Sequence, residues 1–228
     1  MEFLNRLTNG HKQVTKRNRY STLSSFYNFT IATALPNLQN PCCTPILKKI
    51  FKRPSCPQWK ILDKESVDEI IFRTLNTRNR IMLELMARGG MRIGEVLKIT
   101  PDDIADNKLI IRRPKSGKES EVVFIPKKLM AKLNEYVATF GINSSERIFP
   151  ISYTAAWMIV KKAGKIIEVD LRPHDLRRHA ATYASRSGTP LEIVSKIILR
   201  HADLSTTQRY LGKVNDSEAV RWIENLHG

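Results

Sequence analysis

Apolar residues recur at helical spacing through most of the chain, with one short interval that reads as β-strand. Spacing near 3.6 over Tyr20 to Ala34, carried by Leu23, Phe26, Tyr27 and Ile31, predicts an early helix. Pro36, Pro41, Pro45, Pro54 and Pro57 then punctuate the chain and read as a linker flanking a short turn over Ile46–Phe51. Beyond Trp59 the pattern is regular. Asp63–Thr74 reads as a helix with Asp63 as its N-cap and Val67, Ile70 and Ile71 as its apolar face. Arg78–Arg88 reads as the next helix, stopped by Gly89-Gly90, and a short helix over Ile93–Lys98 follows. Leu109–Arg112 and Val122–Ile125 read as two strands joined by a turn at Ser116-Gly117. Helices are predicted again over Lys127–Phe140, Ser152–Lys165, His174–Arg186, Leu191–Leu199, Thr206–Leu211 and Ser217–Leu226. The expected fold class is mainly α with a small antiparallel β-sheet, without internal repeats.

Composition narrows the partner. The 228 residues are 42% hydrophobic, enough for a sizeable core, which argues against wholesale disorder. Lys and Arg total 38 against 22 Asp and Glu, a net charge of +16. Such an excess favours a polyanion, nucleic acid before an anionic membrane, although ribosomal and chaperone-like proteins share it. The opening Met1-Glu2-Phe3-Leu4 lacks the basic and apolar segments of a secretory signal. No stretch approaches the ~18 uninterrupted apolar residues of a membrane span, so no membrane partner and a cytoplasmic, nucleoid-associated setting are expected. Cys42, Cys43 and Cys56 read as free thiols; with no nearby His they make a poor metal site, and no metal is expected.

Polar groups then appear where a core would take apolar ones. Arg92 follows a glycine turn between two apolar helices, so its guanidinium must pair or face an anion; Glu95, one turn on, offers a purely structural partner. In Arg172-Pro173-His174-Asp175-Leu176-Arg177-Arg178-His179, Pro173 suits the first helical position. His174 and Arg177 share a face at the helix start and make an anion pocket, whereas Arg178 and His179 read as a solvated basic face. His201 ends a helix, Ser205 reads as the N-cap of the next, and Tyr210 beside Arg209 reads as either a reactive hydroxyl or a packing aromatic. The hairpin Arg112-Arg113-Pro114-Lys115-Ser116-Gly117-Lys118-Glu119 carries cations that suit a nucleic-acid backbone or simply solubility.

Taken together and in this order, these islands resemble the tyrosine recombinase (phage-type integrase) family over about Trp59 to Asn225. The resemblance matches its first arginine to Arg92, its hairpin lysine to Lys115 (Lys118 being the alternative) and its HxxR box to His174 and Arg177. The second histidine matches His201 and the nucleophile Tyr210. It implies a catalytic domain over 59–228, preceded over 1–58 by a partial helical core-binding segment and linker. There Lys16, Arg17 and Arg19 join Lys118, Arg178 and Arg209 as candidate DNA contacts.

Site-specific recombination through a 3′-phosphotyrosine intermediate is the activity the resemblance implies, with no cofactor. Tyr210 would attack the scissile phosphate while Arg92 and Arg177 clamp its non-bridging oxygens. Lys115 would protonate the leaving 5′ oxygen, His174 would assist at the nucleophile and His201 would bond the phosphate. The implied partner is double-stranded DNA, bound by a tetramer on two sites that is monomeric or weakly associating without DNA, with possible accessory DNA-bending proteins. A type IB topoisomerase shares the chemistry. The two helices before and after His201 also fit a non-catalytic helix-turn-helix regulator, and a basic RNA-binding protein would need aromatics on strands that are missing. The amphipathic tail Asp216–Gly228 fits either exchange between protomers or packing on its own domain.

Overall fold

Aromatic and aliphatic side chains of the first fifty residues close on one another around Tyr20. The computed structural model describes residues 2–52, 61–114, 117, 119–208, 211, 220 and 222–225, and the chain divides into the units Met1–Pro57 and Gln58–Gly228. In the first, helices α1 (Glu2–Thr8), α2 (Gln13–Thr33) and α3 (Pro45–Ile50) enclose Leu4, Tyr20, Cys42, Leu47 and Phe51. Tyr20 stacks on Phe51 with ring centroids 4.9 Å apart, and its hydroxyl donates to the Cys42 carbonyl at 2.6 Å.

Two expectations for this unit are corrected. Helix α2 begins at Gln13, so Lys16, Arg17 and Arg19 ride on the helix instead of preceding it; Gln, Lys and Arg propagate a helix as well as apolar residues do. The proline-rich segment also carries helix where a linker was expected. Pro41 opens a 3₁₀ turn (Pro41–Cys43) and Pro45 opens α3, both at positions where the missing N–H costs nothing. The side chains of Asn40 and Thr44 accept from Cys42 N at 2.8 Å and Leu47 N at 3.3 Å, completing both caps.

The second unit is built on caps visible in the sequence. Asp63 accepts from Ser66 N at 2.7 Å and starts α4 (Lys64–Arg73). Asn76 accepts from Asn79 N at 3.0 Å and starts α5 (Thr77–Arg88), of which every residue from Ile81 to Ala87 is buried. After α6 (Ile93–Val96) come β1 (Ile104–Ala105), β2 (Lys108–Arg112) and β3 (Ser120–Phe124), an antiparallel sheet in that order. The register pairs Ile110 with Val122 and Arg112 with Ser120. Strand β1 is too short for alternation to reveal. Helices α7 (Lys127–Thr139), α8 (Tyr153–Gly164) and α9 (Pro173–Arg186) complete a core that includes Leu109, Val123, Leu133, Phe149, Val160, Leu171 and Leu176. Each such side chain contributes about 1.5–3 kcal/mol when fully buried.

Near the C-terminal end the expected boundaries shift. The stretch read as one helix over Leu191–Leu199 is a single α turn, α10 (Leu191–Ile193), widened into a π turn over Val194–Ile198, with Leu199 N bonded to Val194 O at 2.9 Å. Helix α11 (Leu204–Gln208) starts before the expected cap at Ser205. Asp203 fills that role instead, accepting from Ser205 N at 2.9 Å and from its hydroxyl at 2.6 Å. The expected helix over Ser217–Leu226 falls largely outside the described residues; Trp222, which is described, sits where a Cβ added to Gly188 would come 3.3 Å from its ring. Among the described residues no helix is long and apolar enough to cross a membrane.

Candidate functional site

The site starts from a backbone turn. Gly90 adopts φ +61°, and a Cβ there would come 2.9 Å from Ile198 Cγ2 and 3.0 Å from the Ile198 carbonyl oxygen. Only glycine lets α5 turn this close to the π segment. The turn delivers Arg92 to the start of α6, where its backbone N–H donates to Glu95 Oε2 at 2.9 Å and its Nη1 to Glu95 Oε1 at 2.5 Å. The Arg92–Glu95 pair is therefore real, and the Arg92 side chain still keeps 27% exposure on a cleft wall.

Helix α9 supplies the facing wall. Pro173 takes its first position, and Asp175 accepts from Arg172 N at 2.9 Å, fixing the helix start. One turn apart, His174 and Arg177 both line the cleft. Arg177 is 1% exposed and donates to the carbonyls of Gly90 and Leu199, so one guanidinium ties the glycine turn to the end of the π segment. Arg178 and His179 correct the expected solvated face. Both are buried, Arg178 pairing with Asp175 at 2.7 Å and His179 Nδ1 lying 3.0 Å from Leu62 O, because α9 packs on α5 and α4 along that side.

His201 is half-buried behind these cations. Its Nδ1 lies 2.9 Å from Thr207 Oγ1, and that hydroxyl donates to Ser195 Oγ at 2.8 Å. Burial, then the positive charges of Arg177, Arg92 and Arg200, push the His201 pKa down to about 4. Desolvation on its inner side and the cations Arg177, Arg178 and Arg92 also lower His174, with Asp175 opposing them, although this ring keeps an exposed edge. Both imidazoles are therefore neutral at pH 7 before an anion arrives. The residue before His201 is Arg200, at φ +52°, a backbone region that costs a side-chain-bearing residue about 1–2 kcal/mol. Its guanidinium is buried between Glu95 Oε2 at 2.5 Å and Glu121 Oε2 at 3.3 Å. Burial opposes ionisation of Glu95, but Arg200 and the bonds from Arg92 outweigh it and hold the carboxyl below its usual range.

The cleft between α6, α9 and the end of β2 holds about 280 Å³ and is lined by Arg92, Lys98, Arg112, Tyr153, His174 and Arg177 among others. Arg113 and Pro114 also line it, and Gly117 N bonds to Pro114 O at 3.2 Å. Lys115, Lys118, Arg209 and Tyr210 lie outside the described residues. Sequence reasoning missed Lys98 and Arg112 in the cleft. Arg112 was legible only as part of a basic hairpin, and Asp103, which it meets at 2.6 Å, stands far from the motifs. Arg200 was missed although a charge ending the apolar run Ile197-Ile198-Leu199 was a usable signal. In the first unit, Arg17 donates to Phe51 O at 3.1 Å with its guanidinium 5.2 Å from the Tyr20 ring centroid, and Arg19 donates to Leu7 O. Lys16 is half-buried on the same helix. Cys42 is a buried and Cys43 an exposed free thiol; Cys56 is outside the described residues, among which no cluster of metal-ligating side chains occurs. The guanidinium groups of Arg92 and Arg177 and the His174 imidazole around an open cleft are suited to a tetrahedral anion whose charge grows during reaction.

Comparison with known proteins gives this geometry a context. Residues 60–216 match the phage integrase family. The chain is 33% identical to tyrosine recombinase XerA of Pyrococcus horikoshii over 172 residues, 70% of this chain and 60% of that protein. It is 26% identical to tyrosine recombinase XerA of Saccharolobus solfataricus over 216 residues, 94% of this chain and 71% of the relative. Among solved structures, the Tn1549 transposon integrase in complex with transposon right-end DNA superposes with a TM-score of 0.73 at 16% identity, covering 100% of this chain and 84% of the other. That likeness establishes the fold: mostly helical with a small three-stranded antiparallel sheet.

Proposed function

The chain belongs to the phage integrase family, and from that premise we propose that it is a tyrosine recombinase that cleaves and rejoins DNA at specific sites. The observation that carries this reading is the cleft whose walls bring Arg92, His174 and Arg177 together. Tyr210 is the nucleophile: its oxygen forms a bond to the scissile phosphorus as the bond to the 5′ oxygen breaks, leaving a 3′-phosphotyrosine. A tyrosine hydroxyl is a weak nucleophile while protonated, so the attack needs cationic neighbours or a base. His174, neutral at pH 7, takes the proton, and Lys115 gives one to the departing 5′ oxygen. Arg92 and Arg177 neutralise the non-bridging oxygens, and His201 bonds the same phosphate. Rejoining runs these steps in reverse, and the covalent link conserves the bond energy without ATP.

Double-stranded DNA is the partner such a cleft serves, within a tetramer spanning two sites that assembles on DNA and is assisted by DNA-bending proteins. Residues 59–228 form the catalytic domain and 1–58 the clamp segment. Lys16 is the DNA contact favoured there, since Arg17 and Arg19 are engaged in packing. The test is a trapping assay on nicked, labelled DNA carrying candidate sites, comparing the chain with Tyr210→Phe on a denaturing gel. A slow band lost in the variant is the expected result; a band that persists removes Tyr210 from the role.

A further inference from the structure

Arg200 carries a feature that phosphate chemistry does not require. A left-handed backbone favours glycine, yet here it bears a long cation whose side chain is only 4% exposed and is not among the residues that line the cleft. Its fork instead spans two carboxylates from distant parts of the chain, Glu95 on α6 and Glu121 on β3. Through Glu95 it meets Arg92, which holds the other carboxylate oxygen. Through Glu121 it meets the strand on the far side of the basic hairpin turn. Its own carbonyl leads directly into His201, whose N–H donates to Ser195 O at 2.9 Å, and its Nη1 donates to Ile198 O at 3.0 Å, closing the turn on itself.

We propose, on the premise of the strand-transfer reading above, that Arg200 is a positioning residue that registers three parts of the active site against one another: the Arg92 helix, the hairpin strand and the His201 turn. Guanidinium geometry explains the residue choice. A planar fork fixes the direction of two carboxylates at once, whereas a lysine ammonium fixes neither direction and a glycine would relax the backbone but leave the three parts unlinked. The left-handed turn then places His201 next to Thr207, and the ion pairs offset the cost of that turn.

The test uses the full chain, with Arg200→Gly, Arg200→Lys and the double variant Arg200→Gly/Glu121→Gln. It reads the single-turnover rate of covalent adduct formation at saturating nicked DNA, the DNA affinity, and the His201 ring signals by NMR. The expected result is a fall in rate on the order of 10²-fold in Arg200→Gly, with DNA affinity retained, since small misplacements of reacting groups cost about that much. Arg200→Lys should recover part of the rate. The double variant should regain thermal stability relative to Arg200→Gly without regaining rate, a separation that a purely structural role would not give. A near-wild-type rate in folded Arg200→Gly overturns the proposal. If that variant does not fold, a wild-type rate in Arg200→Lys overturns it instead. If the unaltered chain forms no adduct on any nicked DNA, the strand-transfer reading fails, and the NMR arm decides alone: unchanged His201 ring signals in Arg200→Gly or, should it not fold, Arg200→Lys overturn the positioning role, and displaced ones support it.

Discussion

Arg92 and Arg200 grip opposite oxygens of the Glu95 carboxylate, each at 2.5 Å, and differ chiefly in access to water. Arg92 keeps 27% of its side chain exposed and borders the cleft, while Arg200 keeps 4% and turns its remaining N–H groups to Glu121 and Ile198. A half-open guanidinium can exchange water for phosphate oxygens at small cost. A buried one is committed to the partners that compensate its desolvation. The pair teaches that the same side chain, on the same carboxylate, is divided between chemistry and architecture by whether it lines the cleft, as Arg92 does and Arg200 does not. Arg17 and Arg19 are likewise committed to architecture in the first unit, where cations that read as DNA contacts are engaged with backbone carbonyls.

The sharpest way to break that division is Arg92→Ala. Adduct formation at saturating DNA should fall about 10²–10³-fold, the usual loss on removing one preorganised charge-stabilising group. The melting temperature should fall by only a few degrees, because Arg200 still compensates the buried Glu95 carboxylate and the backbone N–H at position 92 still bonds to it. A large melting shift with an unchanged rate would assign Arg92 to architecture as well. Next in size is Gly90→Ala, which acts on the seat of Arg177. The added Cβ would meet Ile198 Cγ2 at 2.9 Å in a left-handed backbone, so urea unfolding should show a loss of about 2–3 kcal/mol. A loss below about 0.5 kcal/mol would mean that the π segment yields and that Arg177 is not held rigidly.

What the sequence disclosed about this site follows from the range of the signals. Asp63, Pro173 and the Gly89-Gly90 stop act within one turn of themselves, so their helices were legible at nearly the right residues. The paired spacing of His174 and Arg177 likewise needed only a helix. The Arg200 ion pairs join residues far apart in sequence, and no local pattern announces them. The π turn over Val194–Ile198 was hidden for a related reason: its apolar residues satisfy an α pattern, and the widening serves the close approach of Gly90 to Ile198. Arg178 failed in the opposite sense, since charge alone read as solvation while a partner one turn away made burial affordable.

Thr207→Val isolates the His201 side of the comparison without touching the Glu95 pair. Valine keeps the shape of the fully buried threonine but removes the hydroxyl between His201 Nδ1 and Ser195 Oγ. The lost bonds should destabilise the chain by about 1–2 kcal/mol and change the nitrogen chemical shifts of the His201 ring. Unchanged shifts would show that the Arg200 turn alone fixes the ring.

The smallest effect is the pH dependence of His201. Its pKa is about 4 in the folded chain against an ordinary value of about 6.5, so between these values the unfolded chain binds the extra proton. Stability from this group is complete above about pH 6.5, declines as pH falls towards 4, and changes no further below that. Because the ring is half-exposed, solvent screening should keep its share to about 1 kcal/mol or less at pH 5. Urea unfolding at pH 7, 6 and 5 should give a shallower decline for His201→Asn than for the unaltered chain; parallel declines would remove His201 as the source. The comparison then reaches its finest test. Arg92 presses on His201 more strongly than Arg200 does, so Arg92→Ala should raise the His201 pKa further than Arg200→Lys, which keeps the charge. A larger rise in Arg200→Lys would mean that displacement of the ring, and with it relief from burial, outweighs the loss of a neighbouring cation.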